Sequence, residues 1–220
     1  MAERVVVAMS GGVDSSVAAA LLKEQGYDVV GITMRLWTEP HPAAFSGRTR
    51  CCGIEDVDDA RRVAQVLDIP HYTINLEKPF RRFVVDGFID EYSRGRTPNP
   101  CLNCNTYIKF DLFLQRALAL NAACMATGHY ARRLQTPQGP ELHRAVDPDK
   151  DQSYVLYTLA PNALQRTLFP LGELRKEEVR AIAARYNLAV AEKPDSADIC
   201  FVPGGDYRDF VRRHLPDRPG

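Results

Sequence analysis

Apolar positions run along the chain in two rhythms. One unbroken apolar stretch stands at residues 5–9 (VVVAM), and residues 29–36, 70–76 and 123–127 read as further short strands. Between them lie longer segments of helical period. Residues 53–68 carry Ile54, Val57, Ala60, Val63, Ala64 and Leu67 at that spacing, and residues 15–25, 79–92 and 108–120 read the same way. Asp14 is placed to cap the first helix and Gly26 to stop it. Strands alternating with helices predict an α/β fold, a doubly wound parallel sheet covered on both faces with right-handed crossovers. After Gly128 the rhythm changes. RRLQTPQGPELHRAV predicts a hairpin turning at residues 137–140, and residues 150–159, 161–167 and 175–186 predict short helices. A soft boundary near residue 148 divides a main domain, 1–148, from a small and mostly helical subdomain, 149–220. The final HLPDRPG closes no element, which reads as a chain that continues.

The first strand runs into SGGVDSS, residues 10–16, and then into a helix. Ligands in such sheets sit beyond the carboxyl ends of the strands, where this turn lies. Its glycines let backbone approach an anion, and the helix start favours negative charge. No G-K-[S/T] follows, so it is not a Walker A loop, and the G-x-G-x-x-G spacing is absent. The competing reading is an ordinary strand-to-helix turn.

Composition narrows the partners. With 28 basic and 28 acidic residues in 220, no global field draws the chain to nucleic acid or membrane, so any RNA contact is a local patch. Arg94, Arg96, Lys109, Arg132 and Arg133 read either as a solvated surface or as phosphate contacts. No apolar run has the length of a membrane span, and MAERVVV lacks the layout of a signal peptide. Six cysteines are few for a secreted framework, so a cytoplasmic setting is expected, with cysteines that are reactive, metal-binding or buried. Cys124 reads as a small core hydrophobe, and adjacent Cys51 and Cys52 as loop packing. Cys101 and Cys104 form a C-x-x-C in GRTPNPCLNCNTYIKF, a stretch that two prolines and Gly95 are expected to keep irregular. Alone it is half a zinc site or a redox pair. The remaining cysteine candidate is Cys200, in KPDSADICFVPGGD.

SGGVDSS resembles the PP-loop of the ATP pyrophosphatase superfamily, whose fold is Rossmann-like, of the adenine nucleotide alpha hydrolase kind. With TPNPC..CN..IKF, TGHYAR, DKDQSYVLY and DICFVPGGDY in one order, residues 4–214 resemble the tRNA-specific 2-thiouridylase family (MnmA type). That resemblance implies ATP-dependent sulfur transfer to position 2 of the wobble uridine, through an adenylated base. It implies that Ala8, Met9, Ser10, Gly11, Gly12, Val13, Asp14 and Ser15 hold ATP phosphates with Mg²⁺, and that Met34 and Gly128 contact the adenosine side. Asn99, Pro100 and Cys101 would lie against the target base, and His129, Lys150, Asp151 and Gln152 would face the tRNA. Cys104 would be the attacking cysteine and Cys200 the persulfide carrier, the pair closing as a disulfide when sulfur departs.

Cys101 stands where many members of that family carry aspartate, which opens a second route. Cys101, Cys104 and Cys200 could ligate a [4Fe–4S] cluster with one iron open to an external sulfide. The persulfide route is preferred because the Cys104/Cys200 pair suffices for it. A structural zinc is a further option. The sulfur donor would be a persulfide carrier protein or sulfide, and no membrane is involved. Family members usually continue into C-terminal β-rich domains, which this sequence lacks. Two other functions compete: a PP-loop ligase acting on a small molecule, and an iron–sulfur or zinc module that only binds nucleotide.

Overall fold

The computed structural model describes residues 2–37, 54–195, 199–202 and 206–214. Its main sheet is parallel and five-stranded, in the order β3-β2-β1-β4-β7. The strands are β1 (Arg4–Ala8), β2 (Asp28–Arg35), β3 (His71–Asn75), β4 (Cys124–Ala126) and β7 (Thr167–Leu168). Between β4 and β7 an antiparallel hairpin pairs β5 (Ala131–Thr136) with β6 (Gly139–Arg144). Side chains alternate across β1, so each face has its own core. Val5, Val7 and Met9 pack with Val17 and Ala18 of α1 (Val13–Glu24), with Ala60 and Val63 of α2 (Ile54–Val66), and with Val179 and Ala183 of α8 (Lys176–Arg185). Val6 and Ala8 face the other way, toward Phe80, Phe88 and Phe113. Burial on both faces is why β1 reads as an unbroken apolar run.

The chain builds outward from β1 to β2 to β3, then crosses to place β4 on the other side of β1. That reversal opens a crevice at the carboxyl ends of β1 and β4, the usual ligand position in an open α/β sheet. Residues 10–16 follow β1, and Gly128 and His129 follow β4 shortly after its end.

Helical stretches on the second face depart from a uniform α-helix. α3 (Glu77–Phe80) passes through a wider π-type turn, Arg81–Val85, into α4 (Asp86–Ser93). Likewise α5 (Pro100–Asn103) continues through π-helical Cys104–Phe113 into α6 (Leu114–Ala119). The expectation that residues 95–110 stay irregular is therefore corrected from Pro100 onward. Proline at the first helical position forfeits only an N–H that has no helical partner there, so Pro100 starts a helix rather than breaking one. Of the helix expected at 150–159, only a 3₁₀ turn, Ser153–Val155, forms. Residues 161–167 divide into α7 (Pro161–Gln165) and the start of β7, which hydrogen-bonds to β4. The segment beyond residue 148 thus supplies the edge strand of the main sheet. α9 (Tyr207–His214), not foreseen in the sequence, buries Phe210 against Phe88 and Phe201. Cys51, Cys52 and residues 215–220 lie outside the described residues.

Candidate functional site

The turn after β1 is held by its own hydroxyls. The N-cap of α1 is Gly12, with extended backbone and no side-chain cap, rather than Asp14 as its position suggested. Ser15 and Ser16 donate their hydroxyls to the Gly12 carbonyl at 3.2 and 2.8 Å, and the Ser10 amide donates to Ser15 Oγ at 3.1 Å. With no capping side chain, first-turn N–H groups of α1 remain available to an anion. Gly11 takes φ +75°, and a Cβ there would overlap the Asp56 carbonyl. A Cβ on Gly128 would lie 2.7 Å from the Ser15 amide. Two glycines thus let α2 and the end of β4 close on the turn. Ala8 sits in the β1–β2 ladder, and Met9 donates its amide to the Ile32 carbonyl with its side chain buried under α1. Val13 and, on β2, Met34 are buried as well.

Asp14 is the hub of an ion network that local sequence patterns did not reveal. Its carboxylate accepts from the Tyr130 hydroxyl at 2.8 Å and from Lys176 Nζ at 2.8 and 2.9 Å. Lys176 also reaches Asp195 at 2.8 Å, and Asp195 pairs with Lys150 at 2.8 Å and Arg180 at 3.4 Å. Burial works against the Asp195 carboxylate, but hydrogen bonds from Lys150 and Lys176 prevail and hold its pKa at about 2. The bond to Asp195 in turn raises that of Lys150. Burial, then the neighbouring Asp14 charge, pushes the Tyr130 hydroxyl far above its ordinary value, so it stays a donor. A second cation, Lys193, donates to the Gly11 carbonyl at 3.0 Å and pairs with Asp56 at 2.8 Å and Asp59 at 2.7 Å. Lys193 and Asp195 lie in the KPDSADICF stretch quoted for its cysteine. Lys176, inside an ordinary amphipathic helix, carried no signal.

The cysteines occupy the other side of the crevice. Asn99 caps α5, its side chain accepting from the Cys101 amide at 3.0 Å. Cys101 is exposed, whereas Cys104, one helical turn on, is buried in the large apolar core that also holds Phe80, Phe88 and Phe201. Cys200 packs half-buried against that same cluster. Cys104 and Cys200 thus both belong to the core on the second face of the sheet. Among the described residues no three His, Cys, Asp or Glu side chains assemble into a group able to hold a metal ion. The described residues thus give no support to a [4Fe–4S] or zinc site at Cys101, Cys104 and Cys200. Cys124, on β4, is half-buried, and burial raises its thiol pKa.

A strap, residues 150–158, ties the two sides together. Gln152 exchanges hydrogen bonds with Tyr130, at 2.8 and 3.0 Å. Asn105 donates to the Val155 carbonyl at 2.9 Å, and Thr106 and Thr158 join hydroxyls at 2.7 Å. Asp151 accepts from the Ala145 amide at 2.9 Å and the Ser153 hydroxyl at 2.8 Å. The side chains of Lys150, Asp151 and Gln152 are thus all bonded to protein. Asn105 Oδ1 is buried with no partner, an acceptor whose isolation costs about 1–3 kcal/mol unless something reaches it. Nothing in the sequence marked Asn105 beyond its place after Cys104.

His129 is buried, between Phe110 and Phe169. Burial, with the nearby Lys109 charge, lowers its pKa well below 6.5, so the ring is neutral at pH 7. Lys109 Nζ lies 3.4 Å from Nε2, which places the acceptor there and leaves Nδ1–H to donate to Thr127 Oγ1 at 2.8 Å. The basic side chains expected to form a patch also have protein partners. Arg94 pairs with Asp90, Arg96 with Glu91 and Arg132 with Glu173, while Arg133 donates to the Gln165 carbonyl.

Comparison with known proteins gives this geometry a family. The family model described as tRNA methyl transferase HUP domain matches residues 3–204. The tRNA-specific 2-thiouridylase MnmA of Rhodospirillum centenum is 55% identical over 213 residues, 97% of this chain and 54% of that protein. Its counterpart in Geotalea uraniireducens is 55% identical over 212 residues, 95% of this chain and 56% of that protein. The chain therefore spans about half the length of such relatives. Two solved structures share the fold. A 4-thiouridine synthetase in complex with RNA and bound ATP has a TM-score of 0.56 at 17% identity, covering 98% of this chain and 51% of that one. NMN synthetase from Francisella tularensis has 0.55 at 18% identity, covering 94% and 72%. A glycine turn at the switch point of the sheet and a match over nearly the whole chain agree: this chain belongs to the tRNA methyl transferase HUP-domain family, with its sequence kinship among the tRNA-specific 2-thiouridylases.

Proposed function

We propose that this chain is the nucleotide-binding and sulfur-transferring part of a tRNA uridine 2-sulfurtransferase that consumes ATP. The observation that supports this most is the chain of bonds that links the turn after β1 to the segments bearing the cysteines: Asp14–Lys176–Asp195 leads toward Cys200, and the strap joins Asn105, next to Cys104, to Lys150 and Asp195. The turn would take the pyrophosphate portion of ATP on the N–H groups at the start of α1. Mg²⁺ would enter on the phosphate oxygens, because the loop's own carboxylate, Asp14, is already engaged by Tyr130 and Lys176.

The chemistry needs a better leaving group than uracil O2. Attack of O2 on the α-phosphorus forms an O–P bond, breaks the bond to the β-phosphate oxygen and releases pyrophosphate. A Cys200 persulfide then attacks C2 through its outer sulfur, and the C2–O bond breaks as AMP leaves. Cys104 thiolate attacks the inner, Cys200 sulfur. A Cys104–Cys200 disulfide forms, the S–S bond to the transferred atom breaks, and its electron pair completes the C2 thiocarbonyl. The apolar setting of Cys104 withholds water, which would otherwise compete for the activated base. A reductant reopens the disulfide, and the Cys200 thiolate then takes the outer sulfur of a persulfide donor, whose own thiol leaves.

Release of AMP and pyrophosphate that depends on tRNA checks this reading. Products formed equally well without RNA would assign the chain to a small-molecule ligase instead.

A further inference from the structure

The strap shows one set of side chains to the protein and another to solvent. Lys150, Asp151 and Gln152 are bonded to the rest of the protein, and Val155 and Leu156 are buried. What the strap presents outward is Tyr154, 64% exposed, and Tyr157, 68% exposed. Bonds from Val155 N to Gln152 O and from Leu156 N to Ser153 O make the strap a run of i→i+3 turns. The Thr106–Thr158 bond brings a third exposed ring alongside, Tyr107, 42% exposed, which stacks on Phe83 at 5.0 Å. Arg82 lies over the other member of that stack, 5.3 Å from the Phe83 centroid.

We propose that Tyr154 and Tyr157 form a stacking platform for an unpaired RNA base next to the one that enters the crevice. The inference rests on the RNA reading above and adds the residues and the mode of contact. Loop bases in RNA are unstacked and are commonly caught on aromatic side chains. The strap's inner bonds fix the backbone beneath both rings, so little freedom is lost when a base docks. Its position suits the task, since it runs from the Asp195–Lys150 pair to the turn that bears Cys104. Stacking reads a π-face rather than a base edge, so the platform tolerates any loop base.

Fluorescence anisotropy with a labelled anticodon stem-loop RNA tests this on the chain itself. Tyr154→Ala and Tyr157→Ala are each expected to weaken binding about 5- to 100-fold, the range found when single base-stacking rings are removed. Phe at either position should keep wild-type affinity and Leu should not, which separates stacking from mere apolar bulk. The salt dependence of binding should stay that of wild type, because no phosphate contact is removed. ATP binding by calorimetry should be unchanged in all variants, which shows that they are folded. Wild-type RNA binding that survives both alanine substitutions overturns the platform alone. Absence of RNA binding by wild type overturns the RNA reading, and the platform with it.

Discussion

Lys176 holds together two carboxylates from opposite ends of the chain, Asp14 at the start of α1 and Asp195 ahead of Cys200. Its side chain is 13% exposed, so the pairs are only weakly screened. Lys176→Met should cost about 1–3 kcal/mol in urea unfolding, and a double-mutant cycle with Asp14→Asn should show a coupling of similar size. No coupling in that cycle would mean the contact is incidental. At Gly11 the backbone lies in the left-handed region and a Cβ would meet the Asp56 carbonyl, so Gly11→Ala should lower ATP affinity as well as stability. His129 sets a pH response. Because burial and Lys109 hold its folded pKa below 6.5, the unfolded chain takes up this proton first on acidification. Its contribution is therefore complete above about pH 6.5 and falls away below it. His129→Asn should flatten the fall in stability that sets in below pH 6.5, while the Asp195 contribution remains until its own window, from 3.8 down to about 2. Chemical denaturation across that range is the check.

At the scale of elements, what was legible followed from how completely each element is buried. β1, β2, α1 and α2 carry unbroken or strongly periodic apolar patterns, and the structure places them within a residue or two of expectation. β7, two residues long, is too short to carry a period and is defined by its partner β4. The helix from Pro100 was hidden because proline reads as a breaker unless its position in the helix is known. Its start depends on the Asn99 cap, so Asn99→Ala should destabilise α5 by about 0.5–2 kcal/mol and speed alkylation of Cys101. An unchanged alkylation rate would show that the cap does not set Cys101 exposure. Of the site, the turn at residues 10–16 and the cysteines were legible as local motifs. The Asp14–Lys176–Asp195 chain and the Asn105–Val155 bond were not, because each joins residues that only the fold brings together.

For the molecule as a whole, the sheet reversal sets the glycine turn after β1 beside a charged network, and among the described residues no helix is long and apolar enough to cross a membrane. The account stands on nucleotide and sulfur being handled by different groups in one crevice. Mass spectrometry of nucleosides from tRNA incubated with ATP and a persulfide donor tests that, paired with calorimetry of ATP binding. Cys104→Ser and Cys200→Ser should each abolish 2-thiouridine while binding ATP as wild type does, and Cys101→Ala should retain activity within about tenfold. Normal 2-thiouridine formation by either serine variant, or loss of ATP binding along with it, would contradict the account.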